Sequence, residues 1–182
     1  KSRRFSRTNP VKLIGNVASP YTRKMVAYLR YKRIPYEVIW GQPEDVLISM
    51  NIEAPKPILL PVFILDRDGQ ATAVTDSTPL IREFENKYSD RSVLPKDPAL
   101  NFINFVLEDF GDEWCTKFMF HYRWHFDEDA DNAGTILPLG INSNLKDDEL
   151  AFFKEHFAKR QIDRLWVVGS NNDTAEFIDK SY

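Results

Sequence analysis

The sequence is poor in cysteine. A single thiol, Cys115, occurs among 182 residues, so no disulfide can form within the chain. One thiol suits a reducing compartment, and we therefore expect a cytoplasmic protein. Cys115 itself is expected to be a small buried apolar side chain rather than a nucleophile.

Long apolar runs and an excess of one charge are also missing. No segment is apolar enough to cross a membrane, and no secretory segment is found near the start. A balance of 24 basic against 27 acidic residues gives no electrostatic reason to expect a nucleic-acid partner. Residues 1–10 are basic, and we interpret them as a solvated tail rather than a targeting signal.

Histidine is scarce as well, with three in the chain. His121 and His125 stand four apart on one predicted helical face, as two ligands of a zinc site would. No third ligand has a suitable spacing, and the His-Glu-x-x-His pattern is absent. We therefore expect no metal.

The most informative segment places a hydroxyl between a strand and a helix. The apolar run Val11–Gly15 predicts a buried strand, and apolar residues recur at helical spacing from Met25 onward. Ser19 is then the N-cap and Pro20 the first helical residue. Helix N–H groups and the helix dipole favour an anion beside that hydroxyl, although Ser-Pro is also compatible with capping alone. Arg23 and Lys24, in the same helix, either add positive potential at this site or, as is the default for helix charges, are simply solvated.

The elements that follow indicate an α/β domain. The pattern predicts strands at Tyr36–Trp40, Val62–Leu65 and Ala71–Val74, a helical piece at Pro43–Met50, a turn at Asp66–Gly69 and a helix over Asp76–Tyr88. The order is strand, helix, strand, short helix, hairpin, helix. This order is that of a thioredoxin-like domain.

Three local matches support this layout. Ser19-Pro-Tyr-Thr22 stands where glutaredoxin-like proteins have Cys-Pro-Tyr-Cys, Leu60-Pro61-Val62 stands where such folds have a cis-proline, and Asp76-Ser77 opens the last helix. The chain resembles the glutathione transferase family, most closely the serine-type classes such as the plant tau class. The resemblance covers the first domain and the beginning of the second.

The resemblance implies a role for each matching position. Ser19 would donate a hydrogen bond to the glutathione sulfur, and the main chain at Leu60, before Pro61, would pair with the cysteinyl backbone as an added strand. Asp76 and Ser77 would hold the γ-glutamyl group. Glutathione would be the co-substrate, a small electrophile or a peroxide the second substrate, and the protein a homodimer.

The energy required of such a site can be estimated independently. The pKa of a free thiol is about 8.5. It must be lowered by about two units, which corresponds to roughly 2.7 kcal/mol, for the thiol to ionise at neutral pH. A helix dipole supplies about 0.3 to 1 kcal/mol and a hydrogen bond to a charged group roughly 1.5 to 3 kcal/mol. The site therefore needs a donor at the helix start, which Ser19 provides.

Several residues depart from the family pattern. Leu59 stands where the tau-like classes have a basic residue for the glycyl carboxylate, and Lys56 is the nearest substitute. Asp76 is one methylene shorter than the usual Glu. Because positions 19 and 22 are occupied by Ser19 and Thr22 and not by cysteine, a thiol reductase that acts by dithiol exchange is disfavoured. A non-catalytic binding or oligomerisation module remains the alternative to a transferase.

The second half predicts an all-α domain. We divide the chain into a tail (1–10), a glutathione-binding domain (11–88), a linker (89–97) and a helical domain (98–182) that the family pattern makes incomplete. The predicted elements are a long helix starting at Pro98, a polar loop from Asp127 to about Asn144, and a helix over Asp147–Leu165.

The long helix has an apolar stripe that needs covering. Its surface is expected to be exposed unless a partner chain packs on it. By the resemblance, Phe118 and Tyr122 on this helix are candidates for the pocket of the second substrate.

Overall fold

A computed structural model describes residues 9–182 and divides the chain into two units between Val93 and Leu94. The division lies inside the predicted linker, and each unit is considered by itself. Most of the predicted basic tail, residues 1–8, lies outside the described residues.

The first unit is a four-stranded mixed sheet with three helices. Its elements are β1 Val11–Gly15, α1 Pro20–Lys32, β2 Tyr36–Trp40, α2 Pro43–Ser49, β3 Val62–Arg67, β4 Gln70–Val74 and α3 Ser77–Lys87. The strand order is β2-β1-β3-β4, in which β1 pairs parallel with β2 and antiparallel with β3, and β3 pairs antiparallel with β4. The predicted α/β thioredoxin-like fold is confirmed.

The sheet has a core on each face, because neighbouring residues of a strand point to opposite sides. Leu13 joins the larger core with Leu29 of α1 and Phe84 of α3. Its neighbour Ile14 joins a smaller core with Leu47 of α2. The sheet is thus covered by α1 and α3 on one side and by α2 on the other.

A buried ion pair joins α1 to α3. Lys32 Nζ lies 2.8 Å from Glu85 Oε1, and both side chains are almost fully buried. The same carboxylate accepts hydrogen bonds from Tyr28, from the Ser92 hydroxyl and from the Val93 N–H. Burial opposes ionisation of Glu85, but the bonds from Lys32, Ser92 and Tyr28 outweigh it and hold its pKa below the ordinary value.

The second unit is helical, as predicted. Its elements are α4 Pro98–Asp109, a π-helical turn Phe110–Cys115, α5 Thr116–Trp124, α6 Asp127–Ile141, α7 Asp147–Ile162, a 3-10 turn Leu165–Val168 and α8 Ala175–Ser181. The predicted long helix is therefore present as α4 and α5 with a wider turn between them. None of the helices within residues 9–182 has the length and apolar character needed to cross a membrane.

The prediction of a polar loop from Asp127 to about Asn144 is wrong, because helix α6 occupies most of this segment. Three of its acidic residues, Asp127, Glu128 and Asp129, fall in the first turn, where they complement the positive end of the helix dipole. Small residues further along permit close packing, since a Cβ at Gly134 would lie 3.1 Å from Lys154 Cγ of α7. The acidic cluster therefore starts a helix instead of interrupting one.

Helix α4 has no buried residue. Its large apolar side chains are all roughly half to two-thirds exposed: Leu100, Phe102, Ile103, Phe105, Val106 and Leu107. The prediction of exposed apolar surface on this helix is confirmed.

Candidate functional site

Three connecting segments meet the sheet of the first unit at the same end of its strands, which we call the sheet edge. The register pairs Ile14 of β1 with Val62 of β3, and Phe63 of β3 with Val74 of β4. The end of β1, the start of β3 and the end of β4 therefore lie side by side. The chain next to these three points contains Ser19, the Leu60–Pro61 peptide and Asp76-Ser77, so the topology gathers the residues that the sequence singled out.

Ser19 is the N-cap of α1, as predicted. Its Oγ accepts a hydrogen bond from the Thr22 N–H at 3.2 Å, and Pro20 occupies the first helical turn. Because the hydroxyl acts only as an acceptor in this bond, its own proton is left to donate to another group. The preceding turn is held by the Ala18 N–H, which donates to Asn16 Oδ1 at 2.9 Å. The half-buried Ser19 hydroxyl can thus cap the helix and serve a bound anion at once.

The Leu60–Pro61 peptide is cis, which confirms the prediction, and Pro61 is buried. Within residues 9–182 the main chain of Leu60 makes no hydrogen bond, so its N–H and C=O can pair with an added extended segment. The Lys56–Pro57 peptide is also cis, which the sequence did not indicate. Lys56 and Leu59 are both exposed in this connection.

Asp76 and Ser77 differ in environment. Asp76 has a positive φ of 78°, is exposed, and caps α3 by accepting from the Thr78 N–H at 3.2 Å. Ser77 is buried, and its hydroxyl accepts a hydrogen bond from Lys24 Nζ at 3.3 Å. Of the two alternatives for Lys24, the structure favours added positive potential over a merely solvated charge, since the ammonium group lies at the start of α3. No local pattern around Lys24 indicated this contact, because its partner lies 53 residues away in sequence.

Phe118 and Tyr122 belong to α5 in the second unit. Phe118 is buried and packs edge-on against Phe110. The Tyr122 hydroxyl donates to Asp179 at 2.8 Å, and this bond raises the pKa of the phenol. Tyr122 also lines a cavity of about 540 Å³ inside this unit, together with Arg123.

His121 is fully buried in the second unit. Its Nδ1 lies 2.7 Å from the Ser170 hydroxyl, and its Nε2 has no hydrogen-bond partner among residues 9–182. The His125 ring stacks on it at 4.4 Å. Burial and the neighbouring His125 lower the pKa of His121, whereas Asp179 opposes this change. Across residues 9–182, no three His, Cys, Asp or Glu side chains gather as metal ligands would.

Comparison with known proteins agrees with this geometry. A family model described as the glutathione S-transferase N-terminal domain matches residues 13–92. The matched residues lie within the first unit, and the match agrees with the thioredoxin-like fold of that unit. No curated protein sequence matches the chain.

Solved structures of glutathione transferases have the same fold. A glutathione S-transferase from Methylobacterium radiotolerans, solved with glutathione sulfonate, matches with a TM-score of 0.51 and 21% identity over 85% of this chain and 62% of that one. Glutathione transferase Omega 1C from Trametes versicolor matches with a TM-score of 0.50 and 8% identity, over 94% of both chains. A tau-class enzyme from mango gives 0.48 and 20% identity, over 94% of this chain and 86% of that one. The chain thus spans about 62% of the length of the Methylobacterium protein.

Proposed function

We propose that this protein is a cytoplasmic glutathione transferase in which Ser19 stabilises the glutathione thiolate. The thiolate attacks an electrophilic carbon, a carbon–sulfur bond forms, and the leaving group departs with its electron pair. The thiol proton is released to solvent. Peroxides are the second class of substrate in this proposal, and a homodimer is the proposed assembly.

The observation that carries the proposal is the meeting of three segments at one sheet edge. Ser19 supplies a hydroxyl proton at a helix N-terminus, where the dipole and the N–H groups favour a negative sulfur. The free main chain of Leu60 is suited to pairing with the cysteinyl residue of an extended tripeptide. Asp76 and Ser77 follow β4, and we propose that they hold the γ-glutamyl group.

We propose that two lysines bind the carboxylates at the two ends of the glutathione tripeptide. Lys24, next to Ser77, is proposed to face the γ-glutamyl carboxylate. Lys56 is proposed to take the glycyl carboxylate in place of the basic residue that Leu59 replaces. Lys56 is exposed and Lys24 is only partly buried, so each is expected to bind its carboxylate weakly and the affinity for glutathione to be modest.

The first experiment is a calorimetric titration of the chain with reduced glutathione near pH 7. Saturable binding supports the proposal, and its absence well into the millimolar range contradicts it. Conjugation to an aryl halide then tests Ser19: Ser19→Ala is expected to lower kcat/KM by about 10- to 100-fold, because a hydrogen bond to a charged sulfur is lost.

Two variants separate catalysis from helix capping. Asp97 caps α4 by accepting from the N–H groups of Ala99 and Leu100. Asp97→Ala therefore removes a similar helix cap, worth about 1 kcal/mol of stability, without changing the proposed site. It should leave kcat/KM unchanged. Ser19→Thr keeps a hydroxyl and should retain most of the rate. An unchanged rate in Ser19→Ala would remove Ser19 from the mechanism.

A second candidate function is a non-catalytic module that binds or oligomerises. The observation favouring it is the apolar surface of α4, where Phe102 is 66% and Leu107 64% exposed. Sedimentation of the chain tests the homodimer that the transferase proposal includes. A dimer without glutathione binding would favour the module, and a monomer at all concentrations would contradict the homodimer.

A further inference from the structure

The first unit has a second concave surface, on the flank formed by α1 and β2. It is a groove of about 360 Å³ lined mainly by Val26, Val38 and Trp40 between two arginines, Arg23 and Arg30. Side chains alternate along β2, so Val38 and Trp40 face α1 while the intervening residue points away. Trp40 is 55% exposed, which leaves an aromatic surface open along the groove.

Both arginines belong to α1 and line this groove. They stand seven residues apart on α1, which is two helical turns and about 10.5 Å along the axis. Arg23 Nε donates to the Val17 carbonyl at 2.7 Å, and Arg30 Nε donates to the Tyr36 hydroxyl at 2.7 Å. Each guanidinium is therefore held by one nitrogen while its terminal nitrogens remain available.

Neither guanidinium is neutralised. No carboxylate of residues 9–182 lies within ion-pair distance of Arg23 or Arg30, and no acidic residue lines the groove. Arg67 of the same unit, in contrast, is paired with Glu83 by two hydrogen bonds. Two unpaired cations that line an apolar groove are complementary to a ligand with two negative groups and an apolar body.

We propose that this groove binds an elongated dianion with an apolar body, of the class of medium-chain dicarboxylates. One carboxylate pairs with Arg23 and the other with Arg30, next to the Tyr36 hydroxyl. The apolar body lies over Val26, Val38 and Trp40. The spacing of the arginines selects length, since the carboxylates of an extended ten-carbon diacid lie about as far apart as the two helical turns, about 10.5 Å, that separate Arg23 and Arg30 along the axis of α1.

The test is a calorimetric titration of the full chain with decanedioate. Saturable binding is expected, and Arg23→Gln and Arg30→Gln should each weaken it about fivefold or more, since each removes one charged contact. Arg82→Gln, at an exposed arginine on α3, is the matched control and should leave the affinity unchanged. Decanoate and butanedioate should both bind more weakly, because the first lacks one charge and the second lacks the length.

A second readout locates the ligand. The indole N–H signal of Trp40, assigned with Trp40→Phe, should shift in the nitrogen–proton correlation spectrum as decanedioate is added. The proposal is overturned by an absence of saturable binding, by equal affinity for decanoate, by arginine variants that behave like Arg82→Gln, or by binding that leaves the Trp40 signal unmoved.

Discussion

The ammonium group of Lys24 donates a hydrogen bond to the Ser77 hydroxyl at 3.3 Å, so α1 brings a positive charge to the first residue of α3. Because Ser77 is buried, this charge lies at the inner end of the proposed γ-glutamyl position. A carboxylate arriving there would meet both a cation and a hydroxyl.

Lys24→Met is therefore expected to weaken glutathione binding about three- to tenfold, since a partly exposed charged contact is lost. Calorimetry should show the same loss with γ-glutamylcysteine, which retains the group concerned. Lys87→Met, at an exposed lysine of α3, is the control. An unchanged affinity in Lys24→Met would mean that the lysine only orients Ser77.

Glu85→Gln is expected to lower the free energy of unfolding by about 3 kcal/mol, because the buried ammonium of Lys32 loses its counter-charge. Glu83, two residues earlier on α3, forms a pair with Arg67 that is more than one-third exposed. Glu83→Gln should cost less than about 1 kcal/mol. Equal effects in urea unfolding would contradict the assignment of the buried pair.

The same carboxylate sets an acid limit on stability. Its pKa is lower in the folded protein than its ordinary value of 4.5, so the unfolded chain takes up the proton first as the pH falls. The stabilisation is complete above that ordinary value and is lost as the pH falls through the folded pKa. Unfolding curves between pH 6 and pH 3 should therefore converge for the native chain and Glu85→Gln.

Gly15→Ala is expected to destabilise the first unit by about 1 to 3 kcal/mol through overpacking. An added Cβ would lie 2.5 Å from Cγ2 of the buried Thr22, closer than carbon atoms approach each other. Thr22→Ser removes that methyl group and keeps the hydroxyl that accepts from the Asn16 N–H. The double variant should be more stable than Gly15→Ala, and a double variant that is no better would place the clash elsewhere.

His121 should make the second unit sensitive to mild acid. Its pKa is lowered in the folded state from an ordinary value of 6.5, so below that pH the unfolded chain binds a proton that the folded chain excludes. Stability should fall as the pH drops through 6.5 and level off below the folded pKa. His121→Phe should remove this component of thermal unfolding, whereas His156→Gln, at an exposed histidine, should retain it.

The N-terminal unit could be predicted closely because its signals are local. Ser19-Pro20 specifies a cap, and the strand Val11–Gly15 is a short apolar run whose bounds the structure reproduces. The turn at Asp66–Gly69 separates two alternating segments and gives the expected hairpin. Each signal arises from neighbouring residues, so no knowledge of the tertiary structure was needed.

The parts that could not be predicted depend on distant contacts. The bond from Lys24 to Ser77 joins residues 53 apart in sequence. Helix α6 looks polar in isolation, and its close approach to α7 at Gly134 becomes visible only when the two helices are packed. The cis peptide at Lys56–Pro57 lies in a proline-rich connection, and the sequence did not indicate it.

The carboxylate of Glu85 also determines how short a usable fragment of the first unit can be. A fragment ended at Tyr88, the residue after α3, would lack the Ser92 hydroxyl and the Val93 N–H that this carboxylate binds. It would retain Lys32 but expose the pair to water at its open side. A fragment made for isotope labelling or crystallisation of this domain alone should therefore end at Val93 or later. Limited proteolysis is expected to leave residues 89–93 attached to the domain.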